Sequence, residues 1–382
     1  METTTYKISD IGEVVGGGTP STANSDFWGG DIPWISPKDL TGYKSVYISH
    51  GENFLTKTGL KSGTKLLPKG TVLFSSRAPI GYVAIASNPI CTNQGFKSII
   101  CNKEIINPLF LYYYIKGNLD YIKLFGTGAT FPEISGAAMR KIKVQIPTLP
   151  TQQKIASILS SYDRLIENNT RRIRLLEQMA ENLYKEWFVR FRFPEHENVE
   201  MVNGLPKGWK VKRYEEELNI RYGKGLSTEQ LKEEGYPVFG SNGQIGFYDS
   251  YMYEDPQILI SCRGASSGIV NISLPKSFIT SNSLICERTE KTESLYEYLK
   301  YYFLNNNLVQ YQTGSAQPQI TINNIVKLKL LVPELKVQRS FSEKIRVIDM
   351  EIYNLQSQIQ LLTHQRDLLL PRLMSGKLEV KS

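Results

Sequence analysis

The chain has 382 residues, enough for two or three domains with cores of their own. Hydrophobic residues make up 41% and charged residues 21%, the composition of a globular protein, and no apolar run approaches the roughly 20 residues of a membrane span. A formal net charge of +8 permits a polyanionic partner without requiring one, and the four scattered cysteines (Cys91, Cys101, Cys262, Cys286) contain no CxxC pair, which speaks against a zinc or disulfide scaffold.

The N-terminus, METTTYKISD, has no basic patch followed by an apolar stretch, so no signal peptide is read and a cytoplasmic location is expected. From about Tyr6 to Pro147 the pattern is mixed and mostly β. Short alternating runs such as Thr71-Val72-Leu73-Phe74 and Lys97-Ser98-Ile99-Ile100 lie between Gly, Pro and Asn punctuation. One helix is expected near Pro108 to Leu119, with Asn107 as N-cap and Pro108 at the first helical position.

The period then changes. Ile155, Leu159, Tyr162, Ile166, Asn169, Ile173, Leu176, Ala180, Leu183 and Trp187 are spaced alternately by four and three residues, the 3.5-residue repeat of a coiled-coil seam. Asn169 is its polar member, a type of residue that sets register at some cost in stability. A helix of roughly 40 residues here would be about 60 Å long. Residues 194–205, opening with Pro194-Glu195-His196-Glu197-Asn198, read as a polar linker. A second module follows over 206–334: short strands, Gly-rich turns such as Gly240-Ser241-Asn242-Gly243, a helix at about Leu295 to Leu308, and a strand through Leu328–Pro333. A second seam comprises Phe341, Ile345, Ile348, Ile352, Leu355, Ile359, Leu362, Arg366, Leu369 and Leu373, and Pro371 is expected to kink or end that helix.

These parts are one design used twice. Gly128 to Trp187 superimposes without a gap on Gly314 to Leu373, 186 residues later. Pro132, Pro147, Gln152, Asp163, Ile166, Ile173 and Leu176 are among the residues that recur. The fold class is therefore α+β: two mixed, mostly β domains (1–150 and 206–334), each followed by a long helix (151–193 and 335–378). The intervening domain lets the chain run out and return, so the two helices are expected to pack antiparallel. Arg366 stands where Ala180 holds the first seam, and that end is expected to fray or meet a partner.

Catalytic equipment is missing from the pattern. His50, His196 and His364 lie far apart, Gly16-Gly17-Gly18-Thr19-Pro20 lacks the GK[ST] of a phosphate loop, and neither GxGxxG nor GxSxG occurs in a suitable context. No cofactor or metal is implied, and recognition fits better than catalysis.

Three loop constellations recur in both modules. They are GGGTPST (from Gly16) against YGKGLST (from Tyr222), Ser75-Ser76-Arg77 against Ser261-Cys262-Arg263, and GTGATFPEI (from Gly126) against QTGSAQPQI (from Gln312). Arg can bond guanine and Gln adenine in a major groove, while Ser, Thr and backbone amides hold phosphates. The candidate DNA contacts in and around these loops are Thr19, Lys38, Arg77, Lys97, Thr127 and Thr130 in the first module. In the second they are Lys224, Ser241, Asn242, Arg263, Ser315, Gln317 and Gln319. Each has a structural reading as well: glycines supply turns, an Arg after a strand can pair with a carboxylate, and Lys141, Lys143, Lys327 and Lys329, read as alternating on strands, form a solvated face.

Four segments carry a family resemblance. GGGTPSTANSDFWGGDIPWISPKDL and PVFGSNGQIGFYDSYMYEDPQILISCRG each resemble a version of the target-recognition domain of type I restriction–modification specificity subunits. FPEISGAAMRKIKVQIPTLPTQQKIASILSSYDRLIE resembles the family's passage into its spacer helix, and LLPRLMSGKLEV its C-terminal ending. The resemblance implies two recognition domains, each reading one half of an asymmetric, interrupted site in double-stranded DNA. It also implies an antiparallel coiled coil that sets the gap and docks two methyltransferase subunits, with restriction and translocation in a separate subunit. A specificity chain of a type IIB-like system and a coiled-coil adaptor without nucleic acid are the alternatives.

Overall fold

The computed structural model describes residues 2–128, 130, 132–314 and 317–380. Ser315, one of the candidate contacts, lies outside them. The chain forms two units, residues 1–171 with 355–382 and residues 172–354, so each long helix contributes one part to each unit.

In unit one a five-stranded sheet runs in the order Gly12–Gly16, Lys97–Cys101, Val72–Phe74, Val83–Ala86 and Tyr47–Ile48. A three-stranded sheet orders Asn53–Leu55, Trp28–Ile35 and Cys91–Thr92, and Thr4–Lys7 pairs with Lys143–Ile146. Unit two repeats the scheme. It has a four-stranded sheet (Leu218–Tyr222, Ser283–Arg288, Ile258–Ser261, Val270–Ile272), a three-stranded one (Gly243–Tyr248, Tyr236–Gly240, Phe278–Ile279) and a pair of Lys210–Arg213 with Lys329–Val332. The run Thr71 to Phe74 does not alternate between core and solvent. All four residues are buried, because the strand lies inside its sheet with packing on both faces.

Two further readings of the sequence need correction. Lys141 closes the short helix Gly136–Lys141, and Lys327 lies in a turn, so only Lys143 and Lys329 of that quartet sit on strands. The stretch read as a linker holds a hairpin, Met201–Val202 against Leu205–Pro206. Asn203 (φ 50°) and Gly204 (φ 80°) form its two-residue turn, the Asn-Gly pair that a hairpin of right-handed twist demands.

The first long helix spans Leu149–Tyr184 and passes into a π-turn over Lys185–Val189. It ends short of residue 193, where Pro194 and the left-handed Phe191 (φ 59°) divert the chain. The second long helix spans Leu335–Met374. It does not stop at Pro371: a proline so near the C-terminus forfeits one backbone bond, and the helix closes three residues later, with Gly376 at φ 72° just beyond. Seam residues Ile155, Leu159, Asn169, Phe341, Ile345 and Leu355 are buried, and Tyr162, Ile166, Ile173, Leu176, Leu183, Ile348, Ile352, Ile359, Leu362 and Leu369 are half-buried. In each unit the helices run antiparallel. Asp163 meets Arg366 and Asn169 meets Gln358 in unit one, while Arg172 meets Glu351 and Tyr184 meets Phe341 in unit two.

The recurring polar residues are the joints between helix and domain. The Gln152 amide donates to the carbonyls of Pro147 (2.9 Å) and Ile105 (3.0 Å) and accepts from the Asn107 amide (2.9 Å). Gln338 donates to Pro333 (2.7 Å) and accepts from Leu295 (2.7 Å). These bonds tie the start of each long helix to the start of a short helix, Pro108–Gly117 or Tyr296–Asn305. Asp163 and Asp349 repeat the device one level further along. The Tyr113 hydroxyl donates to Asp163, and the Tyr301 hydroxyl to Asp349 (2.9 Å).

The cation completing each joint comes from a different element. Asp163 pairs with Arg366 of the second long helix (2.6 Å), whereas Asp349 pairs with Lys300 of the short helix (2.8 Å). Arg366 therefore does not fray. Its side chain is only 16% exposed, and Asp163 and Asp367 hold it.

Candidate nucleic-acid interface

In unit one the turn after strand Val72–Phe74 and the loop before the short helix Gly136–Lys141 converge. The Ile134 amide donates to the Ser76 carbonyl (3.0 Å), and Thr127 and Glu133 exchange a pair of backbone bonds (3.0 and 2.9 Å). This brings Arg77 to Glu133 (3.2 Å) and Lys97, from the neighbouring strand, to the other carboxylate oxygen (3.2 Å). Lys97 also donates to the Gln94 carbonyl (3.3 Å), and the Thr19 hydroxyl bonds the Gln94 side chain. Burial opposes ionisation of Glu133, but the bonds and charges of Lys97 and Arg77 outweigh it and hold the carboxyl below the ordinary carboxylate range.

Unit two builds the same junction. The Ile320 amide donates to the Cys262 carbonyl (3.0 Å), Thr313 and Gln319 exchange backbone bonds (2.9 Å each), and the Gly264 amide donates to Pro318 (3.1 Å). Arg263 and Gln319 thus occupy the places of Arg77 and Glu133. Both are exposed, and among the described residues no side-chain hydrogen bond or ion pair engages Arg263. Nearby, the Ser241 carbonyl accepts from Ser261, and the Asn242 side chain accepts from the Ser266 hydroxyl (3.4 Å).

The structure therefore gathers Thr19, Arg77, Lys97 and Thr127 into one cluster and Ser241, Asn242, Arg263 and Gln319 around another. Lys38 pairs with Glu52 (2.9 Å) at the surface. Thr130, Lys224 and Gln317 are exposed. Glu133 and Gln94 were not singled out in the sequence, although the 186-residue offset sets Glu133 against Gln319.

Gly17 and Gly223 of the first loop pair serve the fold. A Cβ on Gly17 would lie 2.0 Å from the Asn93 carbonyl oxygen, and one on Gly223 2.3 Å from that of Thr280. The close approach they allow is to the chain's own neighbouring strand, not to an outside partner.

Two stretches, residues 1–178 and 206–363, match the family model of the type I restriction modification DNA specificity domain. The chain belongs to that family. It is 35% identical to the MjaIX specificity subunit of Methanocaldococcus jannaschii, with 98% of this chain and 93% of that one covered. It is 25% identical to the EcoprrI specificity subunit of Escherichia coli, over 87% of this chain and 84% of that one. A solved type I S subunit from M. genitalium superimposes with a TM-score of 0.64 at 19% identity, covering 98% of this chain and 96% of that one, a likeness of fold. The chain carries its matched domain twice, so each of the two loop clusters lies within one copy of the specificity domain. No helix among the described residues is long and apolar enough to cross a membrane.

Proposed function

We propose that the two globular parts, 1–150 and 206–334, are target-recognition domains that each read one half of an asymmetric, interrupted site in double-stranded DNA. The long helices act as spacers: they set the gap between the half-sites and dock two methyltransferase subunits. Restriction and translocation belong to further subunits of the complex. The chain itself carries no active site and works in the cytoplasm. The observation that carries this reading is the double match to the DNA specificity domain, combined with loop clusters that share a backbone plan and differ in side chains.

The test is of the spacer. Inserting four residues into each long helix, about 6 Å of rise, should change the number of base pairs preferred between half-sites. Binding by the complex with its modification subunits, measured on duplexes of graded spacer length, reads this directly. An unchanged optimum would refute the spacer role, and an absence of duplex binding by the wild-type complex would refute DNA reading.

A further inference from the structure

The two loop clusters share a backbone plan and differ in side chains, among them an acid in the first, Glu133, for an amide in the second, Gln319. In the first, Glu133 engages Arg77 and Lys97 (3.2 Å each) and is left about a third exposed. In the second, Gln319 carries no charge, and Arg263 has no acidic partner among the described residues.

The acid is not needed for the turn. Unit two holds the same register through the same backbone bonds, Thr313 with Gln319 and Ile320 with Cys262, without any ion pair at that place. One carboxylate offsets only one of the two cations, so the first cluster keeps a net positive charge that neighbouring phosphates tolerate. What the arrangement also provides is a carboxylate steadied from two sides that is still about a third exposed.

We propose that this Arg–Glx position is specificity-determining in each domain: Glu133 accepts a hydrogen bond from the exocyclic amino group of a cytosine, and Arg263 donates to a guanine. A carboxylate can only accept, so it selects a base edge that donates and repels one that accepts. Cytosine N4 is such a donor in the major groove. An unpaired guanidinium does the reverse and fits guanine O6 and N7. Arg77 and Lys97 orient Glu133 and offset its repulsion from the neighbouring phosphates. The inference rests on the DNA-reading function proposed above and assigns one place at which the two domains differ.

The experiment uses the full chain with its modification subunits and a duplex library randomised over both half-sites, with sequencing of the bound fraction. Glu133→Gln should alter base preference at one position of one half-site by about tenfold or more and leave the other half-site as it was. Gln319→Glu, which places an acid beside Arg263, should weaken a guanine preference in the other half-site by a similar factor. Both exchanges are nearly isosteric, and an unchanged Tm for each variant separates reading from folding. Wild-type base preferences retained at every position by both variants would overturn the assignment, as would a loss of affinity equal on all sequences. A wild-type complex that enriches no sequence would overturn DNA reading itself, and this assignment with it.

Discussion

Removing Arg366 tests whether the seam's one charged position is a frayed end or a joint. The guanidinium lies 2.6 Å from Asp163, with side-chain exposures of 16% and 9%. In Arg366→Leu the carboxylate keeps only the Tyr113 hydroxyl. Stranding one partner of a buried pair costs about 3–5 kcal/mol. A loss of about 3 kcal/mol is therefore expected. In a unit of about 200 residues this lowers the unfolding midpoint by roughly 6–12 °C. The double variant Asp163→Asn, Arg366→Leu removes the stranded charge and should recover most of that loss, because a neutral amide can still accept from Tyr113. Thermal unfolding of the four members of the cycle, followed by hydrogen exchange over residues 355–374, gives the coupling energy. A single variant within about 0.5 kcal/mol of wild type, with no recovery in the double, would show that Arg366 behaves as an exposed charge and that the joint does not exist.

Acid should weaken unit two partly through Glu297. Burial pushes its carboxyl up, but Arg346 (2.5 Å) outweighs this and leaves it below its ordinary value of 4.5. A folded pKa below the unfolded one means that the stabilisation is present above pH 4.5 and is lost as pH falls through the folded value. The advantage of wild type over Glu297→Gln in Tm should accordingly be full at pH 7 and shrink below 4.5, and a gap that stays constant with pH would refute this. Gly17→Ala forces a Cβ to 2.0 Å from a backbone oxygen, whereas Gly16→Ala meets nothing within 4 Å. The first should destabilise by about 3 kcal/mol and the second should be nearly neutral in urea unfolding. Equal effects would contradict the close packing at Gly17.

The long helices and the doubled architecture were legible in the sequence because both are periodic, at 3.5 residues and at 186. The recurring Gln152 and Gln338, Asp163 and Asp349 were also in plain view, and the structure supplies the reason they stand there: each makes a bond that ties a long helix to its domain. What stayed hidden were individual side-chain pairings between residues remote in sequence. Arg366 looked like a flaw in a stripe because Asp163 lies 203 residues away. The Asn203-Gly204 turn is a different case: its signal is local and was masked by the polar residues around it.

The exchange of cations between the two joints bears on how such a repeat stays asymmetric. A duplicated module with identical joints could pair either half with itself. Here the charge that satisfies Asp163 sits on the second long helix, and the charge that satisfies Asp349 sits on the short helix of its own domain. The place on the first long helix that corresponds to Arg366 holds Ala180, a buried residue with no charge to offer. A first helix packed against another first helix would thus leave its aspartate without a cation, at the cost of several kcal/mol that a stranded buried charge carries. Two second helices together would bring Arg366 to an aspartate that Lys300 already neutralises. The same physical device that holds each helix to its domain therefore favours the pairing of unlike halves, and a chain with unlike halves is what reading two different half-sites requires.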